Sequence, residues 1–274
     1  MRVQDEIARL FTAIREDDPS GVIDQFASLT SASQYRKLYV LTARYVLPGS
    51  AVLDWGCGRG HFSYYLVKRG FQVTAYSLEH PPEIFSALSA DERKRLTFVQ
   101  GTTEDARKLP FPSGHFAAVF SVGVLEHVRE LGGDEVASLL ELRRVLASQG
   151  ALVCYHLPNR YSYIEAASRG LHEFGLDRAS GGDCFHQHRY TRRDIRALCA
   201  EAGLEPAEVG RYGFVPRNSF NRLPKRLRES RLLASAVNLS DSVLERMFSP
   251  VVQNHYFVAR RRHDARGMSR HDVA

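Results

Sequence analysis

Ala51-Val52-Leu53-Asp54-Trp55-Gly56-Cys57-Gly58-Arg59-Gly60 is the stretch that decides the fold. The apolar run Ala51 to Leu53 reads as a buried parallel strand with an acid, Asp54, at its end. Glycines at every second position lead into an apolar-periodic helix that begins near His61. An open α/β sheet holds a nucleoside-like ligand this way, beyond the carboxyl end of its first strand. Glycine there lets a ligand approach the backbone. The start of the following helix offers unpaired N–H groups and the positive end of its dipole. Asp54 adds a negative charge that repels a pyrophosphate and suits an amine or a sulfonium.

A dinucleotide turn has the order G-x-G-x-x-G. Its third glycine would fall at position 61, which is His61. The order here is D-x-G-x-G-x-G, and in this the chain resembles the class I S-adenosylmethionine-dependent methyltransferases. The resemblance implies a seven-stranded, mostly parallel, Rossmann-like α/β sheet with N-terminal helices and a helical insertion near the C-terminus. It implies S-adenosylmethionine as cofactor, with Asp54, Gly56, Cys57, Gly58 and Gly60 at its methionine part.

The segments downstream keep the family's order. Phe71–Tyr76 reads as the second strand. The family usually ends this strand with an acid for the ribose hydroxyls; here Ser77 stands at that place and Glu79 follows two residues later. Leu96–Gly101 reads as the third strand. It opens into Thr103, Glu104 and Asp105, which the resemblance places at the adenine, and then Leu109-Pro110-Phe111-Pro112. Phe116–Ser121 reads as the fourth strand, and Leu125-Glu126-His127-Val128 after it matches the family's L-E-H-V segment. Ser121 and Val122 are expected to face the cofactor. Ala151–Asn159 reads as the fifth strand and Asn254–Arg260 as the last.

These assignments divide the chain into an N-terminal helical cap (1–50), a cofactor-binding core (51–213) with a substrate loop at about 159–190, a basic helical insertion (214–250), the last core strand (251–262) and a disordered tail (263–274). In the cap, Gln4–Ile14 and Tyr35–Val46 carry helical apolar spacing. The resemblance makes Tyr35 and Tyr39 candidates for a wall of the substrate site; core packing is the competing reading. Tyr161, His186 and His188 are the candidates in the substrate loop. Thr191 reads as the N-cap of a helix over Arg192–Ala202, with Asp194 in the capping-box position. Cys184, His186 and His188 alternate, but no second pair has a zinc-ribbon or H-E-x-x-H spacing, so no metal is assigned.

Composition sets the outer bounds. The 274 residues are 44% apolar, ample for a sizeable core. No run of about 18 apolar residues marks a membrane span. The acidic Asp5 and Glu6 come too early for a secretion signal, and four cysteines without a C-x-x-C pair suit a reducing cytoplasm, the expected location. Net charge is +6 overall and is uneven: Arg211–Leu232 carries +6, Arg260–Ala274 carries +3, and the remainder sums to −3. The basic segment 211–248 reads as a surface for an anionic or glycosylated small-molecule substrate, for peripheral contact with an anionic membrane, or for solvent alone. Nucleic acid is disfavoured, because no RNA-binding module or zinc finger is present. Composition does not give the oligomeric state.

Methyl transfer to a hydroxyl calls for a group to take its proton, and a histidine near neutral pKa suits this. His127, one turn past the fourth strand, is the first candidate and His156, at the end of the fifth, the second. The function expected is S-adenosylmethionine-dependent O-methylation of a small molecule. The alternatives are C- or O-methylation of a lipid or quinone-like, membrane-associated substrate, and a non-catalytic cofactor-binding or scaffold protein of the same fold.

Overall fold

A computed structural model describes residues 3–102, 108–167 and 188–262. Its centre is one sheet of seven strands: β1 (Ala51–Trp55), β2 (Gln72–Ser77), β3 (Leu96–Gln100), β4 (Phe116–Val122), β5 (Leu146–Pro158), β6 (Leu204–Tyr212) and β7 (Asn254–Arg261). The order across the sheet is β3-β2-β1-β4-β5-β7-β6. All pairs are parallel except those of β7, which runs antiparallel to both β5 and β6. The chain reverses its direction of travel between β1 and β4, so a crevice opens beyond their carboxyl ends.

Alternation along the strands builds a core on each face. Val52 joins one core with the helices Val3–Asp17, Arg36–Tyr45 and His61–Lys68, and Leu53 joins the other with Glu135–Val145 and Arg192–Glu201. A strand buried on both faces is mostly apolar, which is why Ala51 to Leu53 reads as a continuous run, and Asp54 is its buried polar exception. The Thr191 hydroxyl accepts from the Asp194 amide, and the Asp194 carboxylate accepts from the Thr191 amide, so the capping box forms as the spacing predicts.

The helix Arg231–Met247, between β6 and β7, packs in an unusual sense. Ala234, Asn238 and Asp241 are its buried residues. Arg217 reaches this face and donates from Nη2 to Asp241 at 2.6 Å, from Nη1 to Asn238 at 2.6 Å and to the Thr30 carbonyl at 3.3 Å. The other Asp241 oxygen accepts from the amides of Phe214 and Val215 at 2.9 and 2.8 Å. The C-terminal extension is thus tied to the N-terminal helices by a buried, fully paired polar network. Removing one partner strands the other charge in the interior, at a cost of about 3–5 kcal/mol. Asp241→Ala is therefore expected to lose about that much in urea unfolding, while Arg231→Ala at the exposed start of the same helix stays within about 0.5 kcal/mol of the parent. Equal losses would show that the network does not hold the extension.

Candidate active site

The turn after β1 hangs from β2. The amides of Gly56 and Cys57 both donate to the Tyr76 carbonyl, at 2.8 and 2.9 Å, and the Gly60 amide closes the turn on the Cys57 carbonyl at 2.8 Å. Its three glycines have positive φ for different reasons. A side chain on Gly56 would run into Val124, and one on Gly60 into Pro82 and Phe85. Gly58, at φ 49°, has no atom within 4 Å of where a Cβ would stand. It opens instead into a cavity of about 910 Å³, lined also by Arg59, Leu78, Glu79 and Gln100 and by the chain around Asp18.

Asp54 is buried on β1 and accepts from the Ser63 hydroxyl at 2.6 Å. Burial raises its pKa to about 6, against the lowering effect of the Ser63 hydrogen bonds. Cys57 is buried and its thiol pushed well up by burial. Ser77 uses its hydroxyl on the Glu79 amide at 3.1 Å, which folds the strand end back and leaves Glu79 to line the cavity. Ser121 is buried opposite Trp55 in β1, with half-buried Val122 next to it at the end of β4. Thr103, Glu104, Asp105 and His186 lie outside the described residues, as does Cys184.

The two candidate histidines occupy different settings. His127 sits in the 3-10 helix Leu125–Leu131 with its side chain 45% exposed and paired to Glu130 at 2.8 Å. It lines neither this cavity nor the one at His156. His156 lies at the irregularity where β5 shifts register against β7, between Tyr155 and Leu157. It is the one non-glycine residue with positive φ among those described, at 72°. Holding a non-glycine residue there costs about 1–3 kcal/mol and marks a position imposed by its surroundings. Its Nδ1 is 2.7 Å from the Tyr212 hydroxyl, and its ring meets Tyr35 edge-on at 5.3 Å. It opens on a second cavity, of about 740 Å³, between the N-terminal helices and the C-terminal extension.

Tyr35 is buried, yet it touches both His156 and His61, the latter at 4.7 Å. Tyr39 lies deeper, stacked on Tyr65 at 4.0 Å, with a hydroxyl that has no hydrogen-bond partner among the described residues. Core packing is the role its surroundings give it. Tyr161 is 60% exposed, and His188 is half-buried where the described chain resumes.

Two further residues draw attention that the sequence reading passed over. His61 follows the glycine turn directly. Both of its ring nitrogens are shielded without a hydrogen bond, and burial lowers its pKa to about 4. Its place between the turn and Tyr35 joins the two halves of the site; its only signal in sequence is adjacency to Gly60. Glu126, in the L-E-H-V segment, is buried, and burial raises its carboxyl to about 8 with a smaller push from Glu130. Of the segment's two ionisable members the acid faces inward, with Leu125 and Val128, and the histidine beside it does not.

Residues 53–154 match a family model described as a methyltransferase domain. An EEF1A lysine methyltransferase 4 of Mus musculus is 26% identical over 162 residues, covering 55% of this chain and 63% of that protein. A ubiquinone biosynthesis O-methyltransferase of Xanthomonas campestris pv. campestris is 37% identical over 101 residues, covering 34% of this chain and 38% of that one. The chain thus spans less than two thirds of the length of either curated relative. The fold is shared with a solved 1,6-didemethyltoxoflavin-N1-methyltransferase of Burkholderia thailandensis that carries S-adenosylhomocysteine, at 19% identity and a TM-score of 0.50, covering 82% of this chain and 76% of that one. Model match, glycine turn and sheet order agree: residues 53–154 form a class I S-adenosylmethionine-dependent methyltransferase domain, whose cofactor is S-adenosylmethionine.

The residues present fit that cofactor. Gly58 faces open space beside Glu79, and Asp54 is a buried carboxylate with a hydroxyl as its side-chain partner. Gly58→Val is expected to weaken S-adenosylhomocysteine binding by at least about tenfold in calorimetric titration while the far-ultraviolet spectrum is kept, because a β-branched side chain at φ 49° fills the opening and strains the turn. Full affinity in a folded variant would contradict the assignment.

A pH dependence follows from Asp54. Its folded pKa, about 6, lies above the ordinary value of 3.8, so the folded protein holds a proton between about pH 4 and 6 that the unfolded chain has lost. This group therefore destabilises the ligand-free fold at neutral pH, and its penalty fades as pH falls through that window. A ligand ammonium needs the ionised form, so S-adenosylhomocysteine affinity should fall as pH drops below about 6, by up to about tenfold per unit. Asp54→Asn should bind more weakly at pH 7 and lose that inflection. An unchanged inflection in the variant would place the titration elsewhere.

Proposed function

We propose that the chain transfers a methyl group from S-adenosylmethionine to a hydroxyl of a small, acidic molecule held in the 740 Å³ cavity, with His156 as the proton acceptor. The observation that carries this reading is the strained position of His156, fixed by Tyr212 on the wall of that cavity. In this reading residues 1–50 cap the core 51–213, and the insertion 214–250 closes the acceptor side.

Proton acceptance at Nε2 requires the tautomer of His156 that carries its proton on Nδ1. The Gln34 carbonyl can only accept, so Tyr155 donates to it at 2.8 Å. Tyr212 stacks on Tyr155 with ring centroids 4.2 Å apart. In this reading the Tyr212 oxygen, 2.7 Å from Nδ1 of His156, accepts from Nδ1–H. In this arrangement Nδ1 carries the proton and Nε2 is the accepting nitrogen. Burial holds Tyr212 far above the ordinary tyrosine pKa, so its partner at His156 is a hydroxyl and not a phenolate.

When bound, S-adenosylmethionine supplies a methyl group already activated by sulfonium. The protein's part is to place the acceptor oxygen and remove its proton. Nε2 of His156 takes that proton, and the Tyr212 oxygen steadies the imidazolium formed. Charge favours an acidic acceptor. Arg36, Lys37, Arg211, Arg217 and Arg246 line the cavity against Asp241 and Glu245. Arg217 is committed to Asp241, and burial pushes the Glu245 carboxyl up toward its neutral form. An excess of positive charge in a partly enclosed space draws anions. The Xanthomonas relative's name supports the O-methyl reading, and it also keeps a quinone-like acceptor as the second reading. A non-catalytic scaffold has no use for a strained histidine on a cavity wall.

The test is a screen of hydroxyl acceptors, acidic ones included, that reads the release of demethylated cofactor. His156→Ala is expected to lower turnover by ~10²–10⁴-fold at unchanged S-adenosylhomocysteine affinity, and His127→Ala to leave turnover near the parent value. Tyr212→Phe should fall between them and alter the pH profile of the rate, since it removes the hydroxyl 2.7 Å from Nδ1. A normal rate in His156→Ala would overturn the assignment of the base.

A further inference from the structure

Ten large apolar side chains stand exposed among the described residues, and six of them fall within 227–248: Leu227, Leu232, Leu239, Val243, Met247 and Phe248. Four of these lie on the helix Arg231–Met247 at positions 232, 239, 243 and 247, spacings of seven and four that keep them on one side. The stripe is opposite the buried face formed by Ala234, Asn238 and Asp241. The helix is therefore inverted: its polar face is packed inside and its apolar face meets water. Exposure reaches 83% at Leu232 and 70% at Leu239. Such a stripe on a surface otherwise covered by polar groups marks a docking face.

Three observations select what covers it. The stripe runs along one helix and stands open to solvent from Leu232 to Met247. Exposed cations border it, with Lys225, Arg226 and Arg231 at one end and Arg246 near the other, against Glu229 as the exposed acid of the segment. Two copies meeting at this face about a twofold axis would bring these cations together, which opposes self-association. Among the described residues no helix is long and apolar enough to cross a membrane, so contact is with a surface. We infer that the ridge 227–248 docks on an anionic lipid surface, with the apolar stripe in the headgroup boundary and the arginines against the lipid charge. The same helix gives Ser242, Glu245 and Arg246 to the wall of the cavity at His156. Docking along it holds the mouth of that cavity at the lipid boundary.

Co-sedimentation of the full chain with vesicles tests this without cofactor or acceptor, so the outcome is independent of whether the chain transfers methyl groups. Phosphatidylcholine vesicles doped with phosphatidylglycerol should bind the chain, pure phosphatidylcholine should not, and added salt should weaken the binding. Leu239→Asp with Val243→Asp should reduce partitioning at least about tenfold at an unchanged melting temperature, because both side chains are exposed in the free protein. Arg226→Glu with Arg231→Glu, which leaves the stripe intact, should weaken binding to the anionic vesicles. Absence of vesicle binding, equal binding to neutral vesicles, or unchanged binding by the aspartate variant would overturn the inference. A concentration-dependent dimer in sedimentation velocity that the aspartate variant abolishes would overturn it in favour of a second copy.

Discussion

One carbonyl organises the cofactor end of this molecule. Tyr76, at the end of β2, accepts the amides of both Gly56 and Cys57. That shared acceptor turns the chain sharply out of β1 and forces the following residues through left-handed backbone. Everything near it follows from the turn. Gly58 faces open space, His61 starts its helix at the seam between the two halves, and Asp54 is shut beneath with Ser63. The turn sits where the sheet order reverses between β1 and β4, the point at which an open α/β sheet leaves room for a ligand.

The acceptor side rests on a different constraint. The antiparallel β7 inserts between β5 and β6, and the register slip it shares with β5 throws His156 into left-handed backbone. Stacked tyrosines 155 and 212 then anchor that histidine to the N-terminal segment through the Gln34 carbonyl. The Arg217 network does the same for the C-terminal extension. The cavity is thus walled by segments far apart in sequence, held by buried polar bonds that tolerate no missing partner. Burying polarity on the inner face of the last long helix leaves its apolar residues outside. The stability of the extension and its surface character therefore have one cause.

Much of this was legible in the sequence. The glycine turn, the first four strands near their observed bounds, the fifth strand but for its start at Leu146, the last strand and the Thr191–Asp194 cap all follow from local rules of spacing and capping. β6 was not, because it is an edge strand in which Glu205, Pro206, Glu208 and Gly210 break the apolar alternation. Among candidate residues, those set by the turn could be named at once. His127 and Glu126 could not be told apart, since the segment winds as a 3-10 helix whose tighter pitch turns the acid inward and the histidine out. The strain at His156 comes from pairing with a strand some hundred residues away, and its Tyr212 partner from that same sheet edge. No local pattern reports such contacts.

The central claim is that the turn at Gly58 and the bulge at His156 face one transfer site from opposite sides. A crystal structure of the chain with S-adenosylhomocysteine tests it most directly. The account predicts the ribose beside Glu79, the amino acid portion at the glycine turn near Asp54, and the sulfur directed toward the cavity that His156 lines. A ligand bound elsewhere, or one whose sulfur points away from that cavity, would contradict it.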